Sequence, residues 1–139
     1  MLASGSGDKS IKIWNLNTGD LVRNLIGHEG GVWPGAFDSA DLLASGSEDK
    51  TVMLWDKNSG QLLNSLIGHE VKVFSVAFAD NDVLASGSDY KTITLWDKNT
   101  VGLLRSLSGH GNRVWQVAFD SNSLLTSASR EKAVNLWGN

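Results

Sequence analysis

An all-β fold assembled from repeated units is what this sequence predicts, and three observations carry it. The segment Leu43–Asp56 (LASGSEDKTVMLWD) recurs without gaps from Leu2 (LASGSGDKSIKIWN), Leu84 (LASGSDYKTITLWD) and Leu125 (LTSASREKAVNLWG). Trp14, Trp55, Trp96 and Trp137 are each 41 residues apart, as are the pairs Gly27-His28, Gly68-His69 and Gly109-His110. A fixed period between about 20 and 50 residues marks a repeat array. Finally, no stretch of helical length shows a helical period, whereas short β-branched runs recur between turn residues.

Taken in order, Leu2–Ser6 reads as a short strand and Gly7-Asp8-Lys9 as a turn, because Gly and Asp tolerate the backbone angles a tight turn demands. Ser10–Trp14 alternates and is β-branched, so it is the next strand. Asn15–Gly19 is a second turn and Asp20–Ile26 a third strand. Gly27-His28 opens a loop to a fresh strand, Val32–Phe37. The second repeat continues with strands at Leu42–Ser47, Thr51–Trp55 and Gln61–Ile67. The third gives Val73–Phe78, Val83–Ser88, Thr92–Trp96 and Leu103–Leu107, and the fourth Val114–Phe119, Leu124–Ser129 and Ala133–Trp137.

Four strands per unit fit a propeller blade. The middle strands of each unit are apolar or small at nearly every position, as expected when both faces of a sheet are covered by stacked neighbours. A β-sandwich is the runner-up, but it would not require such strict internal identity. In the strand Val32–Phe37, Pro34-Gly35 stands where later repeats have Ser75-Val76 and Gln116-Val117. Pro removes a ladder donor and Gly weakens a strand, so that strand is expected to suffer.

Composition narrows the function classes. Apolar residues make up 41%, the net charge is −3, and the 12 Lys and Arg are scattered over all repeats. Without a basic stripe the electrostatic footprint of a nucleic-acid binder is missing. There is no Cys, hence no disulfide and no thiolate metal site. No apolar run approaches the roughly 18 residues of a membrane span, and the start lacks the basic head and apolar block of a signal peptide. A cytoplasmic or other intracellular location, with no membrane contact, is the resulting expectation.

The Gly-His pairs, the Ser-Gly-Ser strands, the Asp turns and the Trp-Asp ends Trp55-Asp56 and Trp96-Asp97 give the chain its resemblance to the WD-repeat β-propellers. The likeness covers essentially the whole chain. It implies an all-β partial propeller over residues 1–139, with two complete four-stranded blades flanked by two incomplete ones. The repeats run approximately 1–28, 29–69, 70–110 and 111–139. Within a blade the family runs strands a to d outward from the channel: a follows Gly-His, c ends in Trp, and d precedes the next Gly-His.

The resemblance also implies a buried His–Ser–Asp–Trp network in each blade. Its chemistry is sound, since an indole N–H only donates, a hydroxyl and an imidazole do both, and a carboxylate accepts. By position the second repeat holds all four in His28, Ser45, Asp49 and Trp55. The first has Ser4, Asp8 and Trp14. The third has His69, Ser86 and Trp96 with Tyr90 at the Asp position, and the fourth has His110, Ser127 and Trp137 with Glu131 there. One whole network in four is therefore expected. Asp89, one residue before Tyr90, points to the opposite face of a strand, so His69 is expected to lack a carboxylate contact.

Could these residues be chemistry instead? His28, Ser45 and Asp49 have the composition of a hydrolytic triad, but a triad needs an exposed Ser beside an oxyanion site. Here a Trp donor would pin the Ser inside a sheet, and the pattern recurs. The three His lie one per blade and do not converge on a metal. Gly5–Ser10 lacks phosphate-loop spacing and joins two strands. Glu48-Asp49 are adjacent carboxylates whose side chains diverge. No enzyme, no metal and no cofactor are expected.

Trp33, Phe74 and Trp115 share one repeat position, just after the Val that opens strand a. In the family that position looks toward the top opening of the channel and often meets ligand. Glu48, Asp89 and Arg130 precede the b–c turns and would share that top face. These six residues are the candidate peptide-binding site of a non-enzymatic scaffold for protein or peptide partners. The rival reading makes the rings mere filling between passive blades of a larger multidomain protein. The chain opens at strand b and stops after strand c. Its remaining blades are expected from a longer chain, which a mid-blade start favours, or from self-association.

Overall fold

The structure, a computed structural model, describes residues 1–138. Its strands are β1 (Leu2–Gly5), β2 (Ser10–Trp14), β3 (Leu21–Ile26), β4 (Ala36–Phe37), β5 (Leu42–Gly46), β6 (Thr51–Asp56), β7 (Leu62–Ile67), β8 (Val73–Phe78), β9 (Val83–Ser88), β10 (Thr92–Asp97), β11 (Leu103–Ser108), β12 (Val114–Phe119), β13 (Leu125–Ser129) and β14 (Val134–Trp137). They form four antiparallel sheets in the orders β1-β2-β3, β4-β5-β6-β7, β8-β9-β10-β11 and β12-β13-β14. The architecture is thus a partial propeller, with two four-stranded blades between two three-stranded ones. No helix of the described residues is long and apolar enough to cross a membrane.

Registers repeat from blade to blade. Leu2, Leu43, Leu84 and Leu125 lie opposite Trp14, Trp55, Trp96 and Trp137. Each tight b–c turn places a lysine in left-handed backbone: Lys9 (φ 74°), Lys50 (73°), Lys91 (61°) and Lys132 (66°). That geometry costs a residue with a Cβ about 1–2 kcal/mol. The hairpin ladders on either side hold it in place.

The core lies between blades. Ile11, Ile13 and Leu25 of the first meet Val32, Leu43, Met53 and Trp55 of the second. Val52, Leu54 and Leu66 of the second meet Val73, Val76, Leu84 and Trp96 of the third. Ala85 and Ile93 of the third meet Val114, Val117 and Leu125 of the fourth. Each fully buried aliphatic side chain is worth about 1.5–3 kcal/mol. The outer blade faces are bare by comparison: Val134 and Leu136 are 69% and 67% exposed, whereas Ile93, one repeat before Val134, is fully buried.

Strand b carries a glycine where the next blade presses closest. A Cβ on Gly46 would stand 2.7 Å from Val73 Cγ1, and one on Gly87 2.9 Å from Val114 Cγ1. Both distances are too short for carbon, so only glycine permits this approach. At the opposite edge Lys98 Nζ reaches Asp38 Oδ2 at 3.1 Å in the second blade and Asp82 Oδ1 at 3.2 Å in its own.

One expected strand is corrected. Instead of spanning Val32–Phe37, strand a of the second blade is reduced to β4 and an isolated bridge between Val32 and Ser47. Pro34 cannot donate to the ladder. At Gly35 the backbone comes so near strand b that a Cβ would sit 2.5 Å from the Ala44 carbonyl oxygen. Pro34-Gly35 therefore bends the chain against its neighbour instead of pairing with it.

Candidate functional site

In the second blade the polar network is complete. Trp55 Nε1 donates to Ser45 Oγ at 2.9 Å, and Ser45 Oγ lies 2.8 Å from His28 Nε2. With the indole proton on its oxygen, Ser45 gives its own proton to Nε2, which leaves Nδ1–H to donate to Asp49 Oδ2 at 2.8 Å. The same oxygen accepts the Glu29 amide at 2.9 Å. Asp49 Oδ1 accepts the Thr51 amide at 2.9 Å and its hydroxyl at 2.6 Å. Burial pushes the Asp49 pKa up, but these hydrogen bonds, Thr51's foremost, outweigh it and hold the group below its ordinary value. Ser45 is fully buried and already shared by two partners, so it has no path to an incoming carbonyl. The triad composition is structural.

The other blades vary this theme. In the first, Trp14 Nε1 donates to Ser4 Oγ at 2.9 Å, and Asp8 Oδ1 accepts the Ser10 amide at 3.0 Å. In the fourth, His110 Nε2 meets Ser127 Oγ at 2.6 Å and Trp137 Nε1 donates to it at 2.8 Å. Glu131 then completes the set, contrary to expectation, with Oε1 2.7 Å from His110 Nδ1 and Oε2 2.7 Å from the Gly111 amide. The hydrogen bond from His110 and that from the Gly111 amide hold the Glu131 pKa low. Two networks are whole, not one. Ala133 replaces the Thr51 hydroxyl at this turn, so the acid has no Thr hydroxyl to accept, and its extra methylene carries both oxygens up to the imidazole and amide.

The third blade follows expectation. His69 Nε2 meets Ser86 Oγ at 2.6 Å and Trp96 Nε1 donates to the same oxygen at 2.8 Å. His69 Nδ1 has no partner among the described residues. Burial alone pushes the His69 pKa down to about 4. Asp89 turns instead to the next blade, where its Oδ1 lies 2.5 Å from Arg113 Nε, outside hydrogen-bonding geometry.

The aromatic position has its own geometry. Strand a bulges between Val73 and Ser75 and again between Val114 and Gln116, so Phe74 and Trp115 are unpaired extra residues. A bulge re-aims its side chain. Along the row of a strands Trp33 stands edge-on to Phe74 with ring centroids 5.1 Å apart, and Phe74 is 5.0 Å from Trp115. The three rings line one cavity of about 390 Å³ together with Pro34, Ser75 and Gln116. The middle ring is the most covered: Phe74 is buried at 7%, whereas Trp33 is intermediate and Trp115 is 42% exposed. Trp33 Nε1 is buried without a hydrogen-bond partner among the described residues.

The three polar candidates on this face fare differently. Glu48 pairs with Lys72 across a blade junction at 3.5 Å, and Asp89 with Arg113 across the next. Arg130 makes no side-chain bond among the described residues and is exposed. The sequence signal for these pairings is the period itself, since Lys72 and Arg113 are 41 residues apart, as are Glu48 and Asp89. No group of His, Cys, Asp and Glu among the described residues could hold a metal ion.

Comparison with known proteins agrees with this architecture. The family model WD40 (WD domain, G-beta repeat) matches residues 1–15, 19–56, 60–97 and 102–138. The chain belongs to the WD40 repeat family. Among solved structures, this WD40 chain is similar to the crystal structure of the computationally designed Ika4 protein, with TM-score 0.84 and 35% identity over 97% of this chain and 82% of that one. Single-repeat stretches resemble natural relatives. Nuclear distribution protein PAC1 of Coprinopsis cinerea is 50% identical over 36 residues, 26% of this chain and 8% of that protein. F-box/WD repeat-containing protein sel-10 of Caenorhabditis elegans is 42% identical over 33 residues, 24% of this chain and 6% of that protein. F-box/WD repeat-containing protein 7 of Drosophila melanogaster is 47% identical over 32 residues, 23% of this chain and 2% of that protein. The WD40 match thus spans less than a tenth of each natural relative's length. WD-repeat proteins generally act as protein-interaction scaffolds and are typically non-enzymatic.

Proposed function

We propose that this WD40 chain is a non-enzymatic scaffold that binds a protein or peptide partner at the top opening, on the row Trp33–Phe74–Trp115. The observation that supports it most is the contiguity of the three rings along one cavity of about 390 Å³. Rigid aromatic side chains supply large contact area at little entropic cost, and they dominate binding hot spots. Glu48 and Asp89 are already neutralised by Lys72 and Arg113, so the favoured anchor is an apolar or aromatic side chain of an extended peptide. Arg130 supplies the one cationic contact of the six candidates. The near-complete burial of Phe74 favours the passive, space-filling reading at that position alone.

The test is a peptide-array screen followed by affinity measurements on variants. Trp115→Ala, which removes the most exposed ring, weakens binding of true hits by about thirty-fold, equivalent to roughly 2 kcal/mol at a hot spot. Phe74→Ala weakens it as well, with its thermal midpoint recorded to separate lost contact from lost fold. Unchanged affinity of every hit for Trp115→Ala rejects the site.

A further inference from the structure

The chain contains its own comparison structures, because the second and fourth blades show what the third lacks. In both, a carboxylate takes one place with the same two partners, the imidazole Nδ1 and the backbone amide of the residue after the histidine. The distances are 2.8 and 2.9 Å for Asp49, and 2.7 Å twice for Glu131. In the third blade Tyr90 holds that sequence position and its side chain turns out to solvent, 66% exposed. His69 Nδ1 and the Glu70 amide, the equivalents of those two donors, have no partner among the described residues. Thr92 Oγ1, the equivalent of the Thr51 hydroxyl, turns to Ser88 Oγ at 3.1 Å.

A second substitution opens the place. Thr94 stands where the second blade has the larger, buried Met53. The result is a cavity of about 190 Å³ lined by His69, Glu70, Tyr90, Thr92, Thr94 and Ser106. A water molecule's share of liquid volume is about 30 Å³, so there is room for a small planar acid with solvent beside it.

We propose that this cavity binds a carboxylate from outside the chain, one oxygen accepting from His69 Nδ1–H and the Glu70 amide, the other from the Thr92 hydroxyl once it swings away from Ser88 Oγ. The tautomer suits the task. Ser86 Oγ accepts the Trp96 indole proton, lies 2.6 Å from His69 Nε2 and has the Thr94 carbonyl oxygen at 3.4 Å as a second acceptor, so an acid arriving at Nδ1 selects the Nδ1–H form, with the Ser86 proton turned to Nε2. Burial keeps the ring neutral at pH 7, and the Glu70 carboxylate is close by in sequence, so the site offers hydrogen bonds without net positive charge. That selects a monoanionic carboxylate over a phosphate dianion, which needs compensating cations. The ligand is either a free small acid or a carboxylate of a peptide, from Asp, Glu or a C-terminus. This site is separate from the aromatic row and does not depend on it.

Nuclear magnetic resonance of the imidazole nitrogens and backbone amides tests the proposal, with acetate titrated at pH 7 against chloride at matched ionic strength. Acetate shifts His69 Nδ1 and the Glu70 amide saturably, with half-saturation in the millimolar range, and leaves His28 and His110 unmoved. Tyr90→Asp supplies the acid from within, so its His69 signals start at the shifted position and no longer respond. Tyr90→Glu, patterned on Glu131, serves if the Asp variant folds poorly. Short peptides bearing either one blocked Asp or one free C-terminus then identify the source, and failure of both while acetate acts assigns it to a free acid. Absence of a saturable shift at His69 and Glu70 overturns the proposal, as does an acetate shift that persists in Tyr90→Asp and Tyr90→Glu.

Discussion

Two tryptophans of the second blade differ in what their indole nitrogens do. Trp55 is almost fully buried and donates to Ser45, which also serves His28. Trp33 buries its nitrogen with no partner among the described residues. Removing a donor strands its acceptor at a cost of about 1–3 kcal/mol, whereas removing an unsatisfied donor relieves a penalty. Trp55→Phe therefore lowers the chemical-denaturation midpoint clearly, while Trp33→Phe leaves it unchanged or raises it; equal shifts contradict this account. The sequence shows Trp55 as a network member through its spacing, and Tyr90 as a misfit because phenol cannot play carboxylate. It misleads at Glu131. Whether one more methylene spoils a hydrogen bond depends on where the turn backbone holds the Cα, and composition does not carry that.

Strand a shows the limits of pattern at the level of an element. The periodic Val–aromatic pair marks the ring position, but nothing in Val73-Phe74-Ser75 or Val114-Trp115-Gln116 announces that the ring residue is a bulge. A bulge is a mismatch with the partner strand and lies in the pairing, not in either strand alone. The damage done by Pro34-Gly35 is legible, since a missing donor is a local fact. Its extent is not, because the close approach of Gly35 to Ala44 is a tertiary contact. That contact is testable. Gly35→Ala places a Cβ against a backbone oxygen and destabilises by about 1–3 kcal/mol, the usual range for overpacking. Gly7→Ala, where a Cβ would meet nothing within 4 Å, stays within about 0.5 kcal/mol as an exposed change. Thermal melts of the two variants side by side decide.

For the whole molecule, the blade count, strand order and register follow from a period of 41 residues, because each blade lacks a core of its own and buries apolar surface only against the next. The glycine-to-valine fit repeats with the same phase at the second and third junctions: Gly46 takes Val73, and Gly87 takes Val114. Excision of residues 47–87, one full period, leaves Gly46 facing Val114 across a junction of unchanged chemistry. That shortened chain still unfolds cooperatively, at a lower temperature, whereas an excision one residue shorter forces an extra residue into the tight b–c turn, where Lys91 sits in left-handed backbone, and lowers the transition further in calorimetry. The cut just described falls inside a hairpin, not between blades. Recombination between misaligned copies of such a gene can therefore break anywhere in the coding period, and gain or lose a blade, so long as the two breakpoints share a phase.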